Sequence, residues 1–115
     1  MSTVNQIVGG AFQDADGNLL ANGYLTFELS ADGVANTSTL VCSGLIIQIL
    51  LDMFGDVVTT TAQNLYPNDG LTPSGTFYIV TAYTATGERV WGPNCQSILS
   101  TPSPFNISAW IPGKV

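Results

Sequence analysis

"TFYIVTAYTATGERVWG", residues 76 to 92, contains the clearest strand signal in the chain. Aromatic and β-branched residues, which favour strands, fill its first half. "TATGE" then supplies turn chemistry, and "RVWG" follows as the second strand of a hairpin. The segment therefore predicts a pair of antiparallel strands.

Further strands are predicted on both sides of this hairpin. In "YLTFELS", residues 24–30, Leu25, Phe27 and Leu29 alternate with Tyr24, Thr26 and Glu28, as in a half-buried strand. "QIVGGAFQ", residues 6–13, predicts a strand in which the Gly-Gly pair marks a bulge or a close backbone approach. "ADGVANTS", residues 31–38, predicts a polar loop, and "NLYPNDGLTPSG", residues 64–75, an ordered one.

The segment "TLVCSGLIIQILLD", residues 39–52, is apolar on both faces of a predicted strand. One face consists of Leu45, Ile47, Ile49 and Leu51, and the other of Ile46, Gln48 and Leu50. A helix is the alternative, but the β-branched isoleucines and the flanking glycines favour a strand. Such a strand is either central in a sheet or packs against a partner.

Short strands separated by Gly- and Pro-containing turns indicate an all-β fold, a single antiparallel sandwich of about seven strands. The predicted domain spans residues 1–115, with extended tails at 1–5 and 112–115. This length suits one domain with its own core.

The composition excludes several classes of function. Only Arg89 and Lys114 are basic, and the net charge is −6, so binding to nucleic acid or to an anionic membrane is not expected. The N-terminus is not typical of a secretory signal, and the longest apolar run is too short to span a bilayer. Charged residues make up only 9% of the chain, which suits a subunit of an assembly.

The residues for catalysis are largely missing. The chain has no histidine, and no phosphate-binding loop or dinucleotide fingerprint occurs. A pair of carboxylates for glycoside hydrolysis stays formally open, but most of the acids fall in predicted turns. We therefore predict no enzyme activity and no cofactor.

Two features raise the question of a metal or a disulfide. "DADGN", residues 14–18, places Asp14, Asp16 and Asn18 like the first ligands of an EF-hand loop, but its later positions do not fit. A turn is therefore predicted, with a looser calcium site left open. Cys42 and Cys95 are expected to be buried or half-buried thiols, with a disulfide as the alternative and no zinc site.

Aromatic side chains raise the question of sugar binding. The candidates are Tyr66, Tyr78, Tyr83, Trp91 and Trp110, of which Tyr66 and Trp91 lie nearest the "NLYPNDG" and "VWGP" segments. The alternative is that these rings fill the core or a subunit contact.

Two stretches resemble known β-sandwich modules. "GAFQDADGNLLANGYLTFELS" resembles the opening hairpin of transthyretin-like or carboxypeptidase-regulatory-type modules, and "LDMFGDV" resembles their second turn. In that turn, Phe54 stands where a small residue is usual. "LYPNDGLTPSGTFYIVTAYTATGERVWGP" is similar to small Ig-like or transthyretin-like proteins of bacteriophage particles.

The resemblance implies a virion protein: a tail-fibre attachment module, a collar or adaptor component, or a capsid decoration. Its expected partners are other virion proteins and copies of itself, and its expected location is the virion. The predicted contact surface comprises Ile46, Leu50, Phe54 and Trp110. The alternatives are a module that binds a host surface glycan or receptor, and a subunit of a bacterial extracellular filament.

Overall fold

The computed structural model describes residues 4–14, 16–35, 39–44, 46–61, 63–101 and 104–108. These ranges contain the strands β1 (Asn5–Val8), β2 (Tyr24–Leu29), β3 (Gly33–Ala35), β4 (Thr39–Val41), β5 (Ile47–Leu50), β6 (Asn64–Leu65), β7 (Tyr78–Tyr83), β8 (Arg89–Gln96) and β9 (Phe105–Asn106). One 3-10 turn spans Asn68–Gly70, and the described ranges contain no α-helix. The predicted all-β class is confirmed.

The strands form three sheets. The largest has the order β5-β2-β7-β8, and each of its neighbouring pairs is antiparallel. A second sheet has the order β6-β1-β9, and β3 pairs with β4 in a third. Strands β1 and β9 pair in parallel, an exception to the antiparallel sandwich expected from the sequence.

The alternation of apolar and polar residues in β2 determines which of its side chains enter the core. Leu25 and Phe27 are fully buried and pair with Ala82 and Val80 of β7, which are also buried. Each fully buried large apolar side chain contributes about 1.5–3 kcal/mol. Ile7 of the second sheet belongs to the same buried cluster, so both larger sheets share one core.

Three sequence expectations need correction. The predicted polar loop at 31–38 contains β3, which pairs with β4 through Val34 and Leu40. Asn5, assigned to an N-terminal tail, begins β1 and is buried. The second strand of the 76–92 hairpin continues past "RVWG" to Gln96. The tail at 112–115 lies outside the described residues.

One turn geometry occurs three times, at residues 14–18, 52–56 and 84–88. In each, the first residue's N–H donates to the fifth residue's carbonyl, and the fourth residue's N–H donates back to the first carbonyl. The fourth residue is always glycine, with φ of 84°, 77° and 89° at Gly17, Gly55 and Gly87. This is the form of a hairpin turn whose last position needs a left-handed backbone. The turns predicted at "DADGN" and "TATGE" are confirmed.

The 52–56 turn differs from the others because it is packed against the first strand segment. The Phe12 N–H donates to the Gly55 carbonyl at 3.0 Å, and the Val57 N–H donates to the Gly9 carbonyl at 2.8 Å. A methyl group on Gly55 would lie 2.9 Å from the Phe12 carbonyl oxygen. The turn is therefore fixed both by its own hydrogen bonds and by its neighbour.

This difference predicts unequal effects of the same substitution in two equivalent turns. Gly17→Ala should lower the free energy of unfolding by about 1 kcal/mol, because only the left-handed backbone disfavours alanine there. Gly55→Ala should cost about 3 kcal/mol, since a methyl group also meets the Phe12 backbone. Urea denaturation of both variants measures the difference. Equal losses would show that Phe12 does not confine the turn.

Candidate interaction surface

Four large apolar side chains lie exposed along one edge of the largest sheet. The exposed fractions are 55% for Ile46, 50% for Leu50, 63% for Met53 and 60% for Phe54. We refer to these four residues as the apolar strip. Ile46 and Leu50 point to one face because they are four positions apart in an extended chain, roughly 13 Å along it.

The division of β5 into two faces agrees with the sequence pattern. Ile49 and Leu51 are buried against the core, and Gln48 points outward with Ile46 and Leu50. Leu45, assigned by the sequence to the inner face, lies outside the described residues. The outer face of β5 thus keeps its apolar side chains in solvent within this single chain.

The backbone edge of β5 is partly closed by the side chain of Gln63, a residue that no sequence pattern singles out. The Gln63 amide oxygen accepts from the Leu50 N–H at 2.6 Å, and its NH₂ group donates to the Leu50 carbonyl at 2.9 Å. Gln63 thereby occupies the positions that a neighbouring strand would use. Strand addition at Leu50 is blocked, so contact with a partner would involve the side chains of the strip.

Comparison of the three equivalent turns shows that the same backbone geometry forms with other residues at the positions of Met53 and Phe54. At the same two positions, the turn at 84–88 has Ala85 and Thr86. Asp52 fixes its turn by accepting the N–H groups of Phe54 and Asp56 at 2.8 and 3.1 Å. Backbone bonds, the carboxylate and the glycine thus define the backbone of this turn, and the side chains at its tip are exposed.

Aromatic residues continue the surface across the sheet. Tyr24 pairs with Leu50 on one side and with Tyr83 on the other. The two tyrosine rings stack with centroids 5.0 Å apart and an angle of 19° between planes. Both tyrosines are half-buried. Their rings, which end in a polar hydroxyl, form an aromatic area on the same face of the sheet as Leu50.

The other aromatic candidates are distributed differently. Tyr66 and Trp91 are half-buried and pack against the core, whereas Tyr78 is buried and meets Phe27 edge to face. Burial of its ring rules Tyr78 out as a sugar-stacking platform. Trp110 lies outside the described residues.

The residues of the "YPND" segment hold the loop together. The Asn68 side-chain oxygen accepts from the Ile98 N–H at 2.9 Å, and its NH₂ group donates to the Thr76 hydroxyl at 3.2 Å. The Asp69 carboxylate accepts from the Ser100 hydroxyl at 2.9 Å. These side chains tie the loop to the segment after β8, so their role in this structure is architectural.

The two features that raised the question of a metal or a disulfide are a turn at residues 14–18 and a pair of free cysteines. An Asp14 carboxylate oxygen accepts the N–H groups of Asp16 and Asn18 at 2.9 and 3.0 Å, as expected of a turn residue. In the described part of the chain, no group of three or more metal-ligating His, Cys, Asp or Glu side chains occurs. Cys42 and Cys95 are free and exposed, not buried or half-buried as expected.

Hydrogen bonds and burial shift the pKa at two positions. The Ser43 N–H and hydroxyl donate to the exposed Asp32 carboxylate at 2.7 and 2.8 Å and lower its pKa. Burial raises the pKa of Tyr78 to about 12. Neither group adjoins the apolar strip along the chain.

Comparison with known proteins finds no matching family model, no matching curated protein and no matching solved structure. In the described residues, no helix has the length and apolar character needed to cross a membrane. The case for a function therefore depends on the surface itself.

The Tyr78 hydroxyl predicts a loss of stability at high pH. It donates to the Tyr66 carbonyl at 2.8 Å, and its raised pKa means that the folded chain keeps this proton more tightly than the unfolded chain. Its contribution is complete below about pH 10, the pKa of an unperturbed tyrosine, and falls as the pH rises toward 12.

Tyr78→Phe tests this dependence. At pH 8 the variant should unfold about 1 kcal/mol more easily, through loss of one hydrogen bond. Urea denaturation above pH 10 should show this difference shrinking, since phenylalanine has no proton to lose. A constant difference across that range would contradict the assignment.

Proposed function

We propose that this chain is a structural subunit of a bacteriophage particle, with an Ig-like or transthyretin-like sandwich fold, that acts by protein–protein assembly. It has no catalytic role in this proposal. The contact surface is the apolar strip, joined by Trp110, and the partners are copies of the chain and other virion proteins. The observation that carries the proposal is the exposure of Met53 and Phe54 at a turn whose backbone is fixed by the Asp52 carboxylate and by backbone hydrogen bonds.

The exposed strip supports assembly on physical grounds. Groups of exposed apolar side chains mark contact sites, because covering them removes the free-energy cost of hydrating them. Phe54 and Met53 belong to residue types enriched at the buried centre of interfaces. A standard interface covers about 800 Å² per partner, so the half-buried Tyr24 and Tyr83 would contribute beside the strip.

The virion part of the proposal has separate support. It comes from the similarity of residues 65–93 to small phage structural proteins and from the low content of charged residues. The local structure is consistent with a module defined by that motif, because Asn68 and Asp69 hold the loop to the rest of the fold. Detection of the chain by mass spectrometry in purified particles tests this part, and its absence from them would contradict it.

A glycan-binding module has less support among the described residues. Sugar rings stack on open aromatic faces, but Tyr66 and Trp91 pack against the core. Tyr24 and Tyr83 present their rings to each other. Assembly is therefore the better-supported function.

Substitutions in the strip test assembly without disturbing the fold. The double variant Met53→Ala/Phe54→Thr gives the 52–56 turn the tip sequence of the 84–88 turn, so it should fold normally. We expect light scattering to show an assembled mass for the original chain and a monomer mass for this variant. Ile46→Asp should have the same effect, because a charge is costly to bury in an apolar contact.

Thr86→Asp is the matched control, since it places a carboxylate at the equivalent tip of another exposed turn. It should leave the assembled mass unchanged. If Ile46→Asp and Met53→Ala/Phe54→Thr keep the original mass while circular dichroism shows them folded, the strip is not the contact surface.

A further inference from the structure

We propose that two copies of this chain pack together through the outer face of the largest sheet, the face that carries Leu50, Tyr24 and Tyr83. The two-fold axis runs parallel to the strands, between β2 and β7. In this arrangement Arg89 of each copy lies against the turn at residues 52–56 of the other copy. The pairing names the partner in the proposed assembly, and it rests on the proposed function for the use of the apolar strip as a contact.

One row of the outer face crosses all four strands of the sheet. Tyr24 of β2 pairs with Leu50 of β5 on one side and with Tyr83 of β7 on the other. Tyr83 in turn pairs with Arg89 of β8, at the opposite edge. Directly paired residues place their side chains on one face, so the row spans three strand spacings, about 14 Å. The apolar strip thus lies at one end of the row, and the exposed Arg89 side chain lies at the other.

The centre of this face is nearly symmetric about the line between β2 and β7. Tyr24 pairs with Tyr83 across this line, and Thr26 pairs with Thr81. In a two-fold contact both copies present the same patch, so each residue must suit its counterpart across the axis. The proposed axis places tyrosine over tyrosine and threonine over threonine, and the small threonines let the two sheets approach closely. Glu28 lies roughly 13 Å along β2 from Tyr24, at the rim of this contact.

The turn at residues 52–56 makes one end of the row acidic. Leu51 pairs with Val57, and both side chains are buried. Because side chains alternate between the two faces of a sheet, the adjoining Asp52 and Asp56 belong to the outer face. No donor in the described ranges hydrogen-bonds to the Asp56 carboxylate. This carboxylate therefore retains its capacity to accept from a cation.

Arg89 makes the opposite end of the row basic. It is the one basic residue that the structure describes, and within the described ranges it forms no hydrogen bond or ion pair. The proposed axis exchanges the two ends of the row, so each Arg89 meets the acidic turn of the other copy. A guanidinium can donate two N–H groups to one carboxylate, while its methylene stem covers apolar surface. Two equivalent ion pairs would fix the relative position of the copies.

The edges of the sheet favour a contact through its face. Gln63 occupies the backbone groups of Leu50 at the β5 edge. Strand β8, at the other edge, contains Pro93, which has no N–H group to donate to a further strand. Strand addition is therefore disfavoured at both edges.

An exchange of charges between two variants tests the pairing. Arg89→Asp places an acid against the acidic turn of the other copy, and Asp56→Lys places a base against Arg89. Each variant alone should dimerise about a hundredfold more weakly than the original chain, because every dimer then contains two like-charged pairs. Mixed in equal amounts, the two variants should form a dimer again, since both pairs then join opposite charges. Light scattering measures the mass of each sample.

The control substitutions change charge on the other face of the same hairpin. Glu88 adjoins Arg89 in the chain, so its side chain points to the opposite face, and its carboxylate accepts from the Thr86 hydroxyl at 3.4 Å. Glu88→Lys and Thr86→Asp should therefore leave the dimer mass unchanged. Circular dichroism checks that each variant folds. If Asp56→Lys does not fold, Leu50→Lys replaces it in the mixing experiment, because Leu50 faces Arg89 of the second copy.

Several results would overturn the pairing. Arg89→Asp could keep the dimer affinity of the original chain, or the mixture of folded variants could remain monomeric. A mixture with a mass above that of two chains would show a head-to-tail contact in place of the two-fold one. A monomeric original chain would show that the face does not bind its own copy.

The same measurements separate the pairing from the proposed function. If Ile46→Asp gives monomers while Arg89→Asp keeps the assembled mass, the apolar strip is a contact surface and the two-fold pairing is wrong. If the charge-exchanged variants restore the dimer but purified phage particles lack the chain, the pairing is correct and the virion role is wrong.

Discussion

The hydrogen bonds that fix the turn at residues 52–56 determine where the apolar strip lies. The Asp52 carboxylate holds the turn from within, and the bond between the Phe12 N–H and the Gly55 carbonyl holds it from the side. Together they fix the backbone that carries the exposed Met53 and Phe54 side chains. A turn without such bonds would lose more backbone conformational entropy on binding than one whose backbone is already fixed. The constraint on the backbone therefore makes these exposed side chains suited to a contact.

The sequence predicts those parts of the fold that depend on local chemistry. The alternation in β2 and the Asp-x-x-Gly pattern of the 14–18 turn each follow from neighbouring residues, and the structure confirms both. The parallel pairing of Ile7 with Phe105 has no local signal, because it joins opposite ends of the chain. Strand β3 has no such signal, because its three residues, Gly33–Ala35, are too few to show the alternation on which strand prediction depends. The exposed sides of Ile46, Leu50 and Phe54 could be predicted, but the capping of Leu50 by Gln63 could not.

The motif behind the family resemblance and the candidate surface lie in different parts of the molecule. Asn68 and Asp69 use their side chains to fasten the loop to Ile98 and Ser100, and the Tyr78 hydroxyl bonds the Tyr66 carbonyl. Residues with such roles define a fold and leave its function open. The proposed function depends instead on a departure from that pattern, the exposed Phe54 at a position where the resembling modules usually have a small residue.

For the proposed assembly, the Gln63 cap disfavours one kind of contact, the addition of a strand at Leu50. An open strand edge can add further strands without limit, and this is how sheets grow into fibrils. Gln63 occupies the backbone groups of Leu50, so the proposed contact at this point of β5 would depend on the side chains of Ile46, Leu50, Met53 and Phe54. Capping of Leu50 therefore disfavours growth of the sheet by strand addition at this position. The net charge of −6 acts in the same direction, because unpaired chains repel one another until a specific contact outweighs the repulsion.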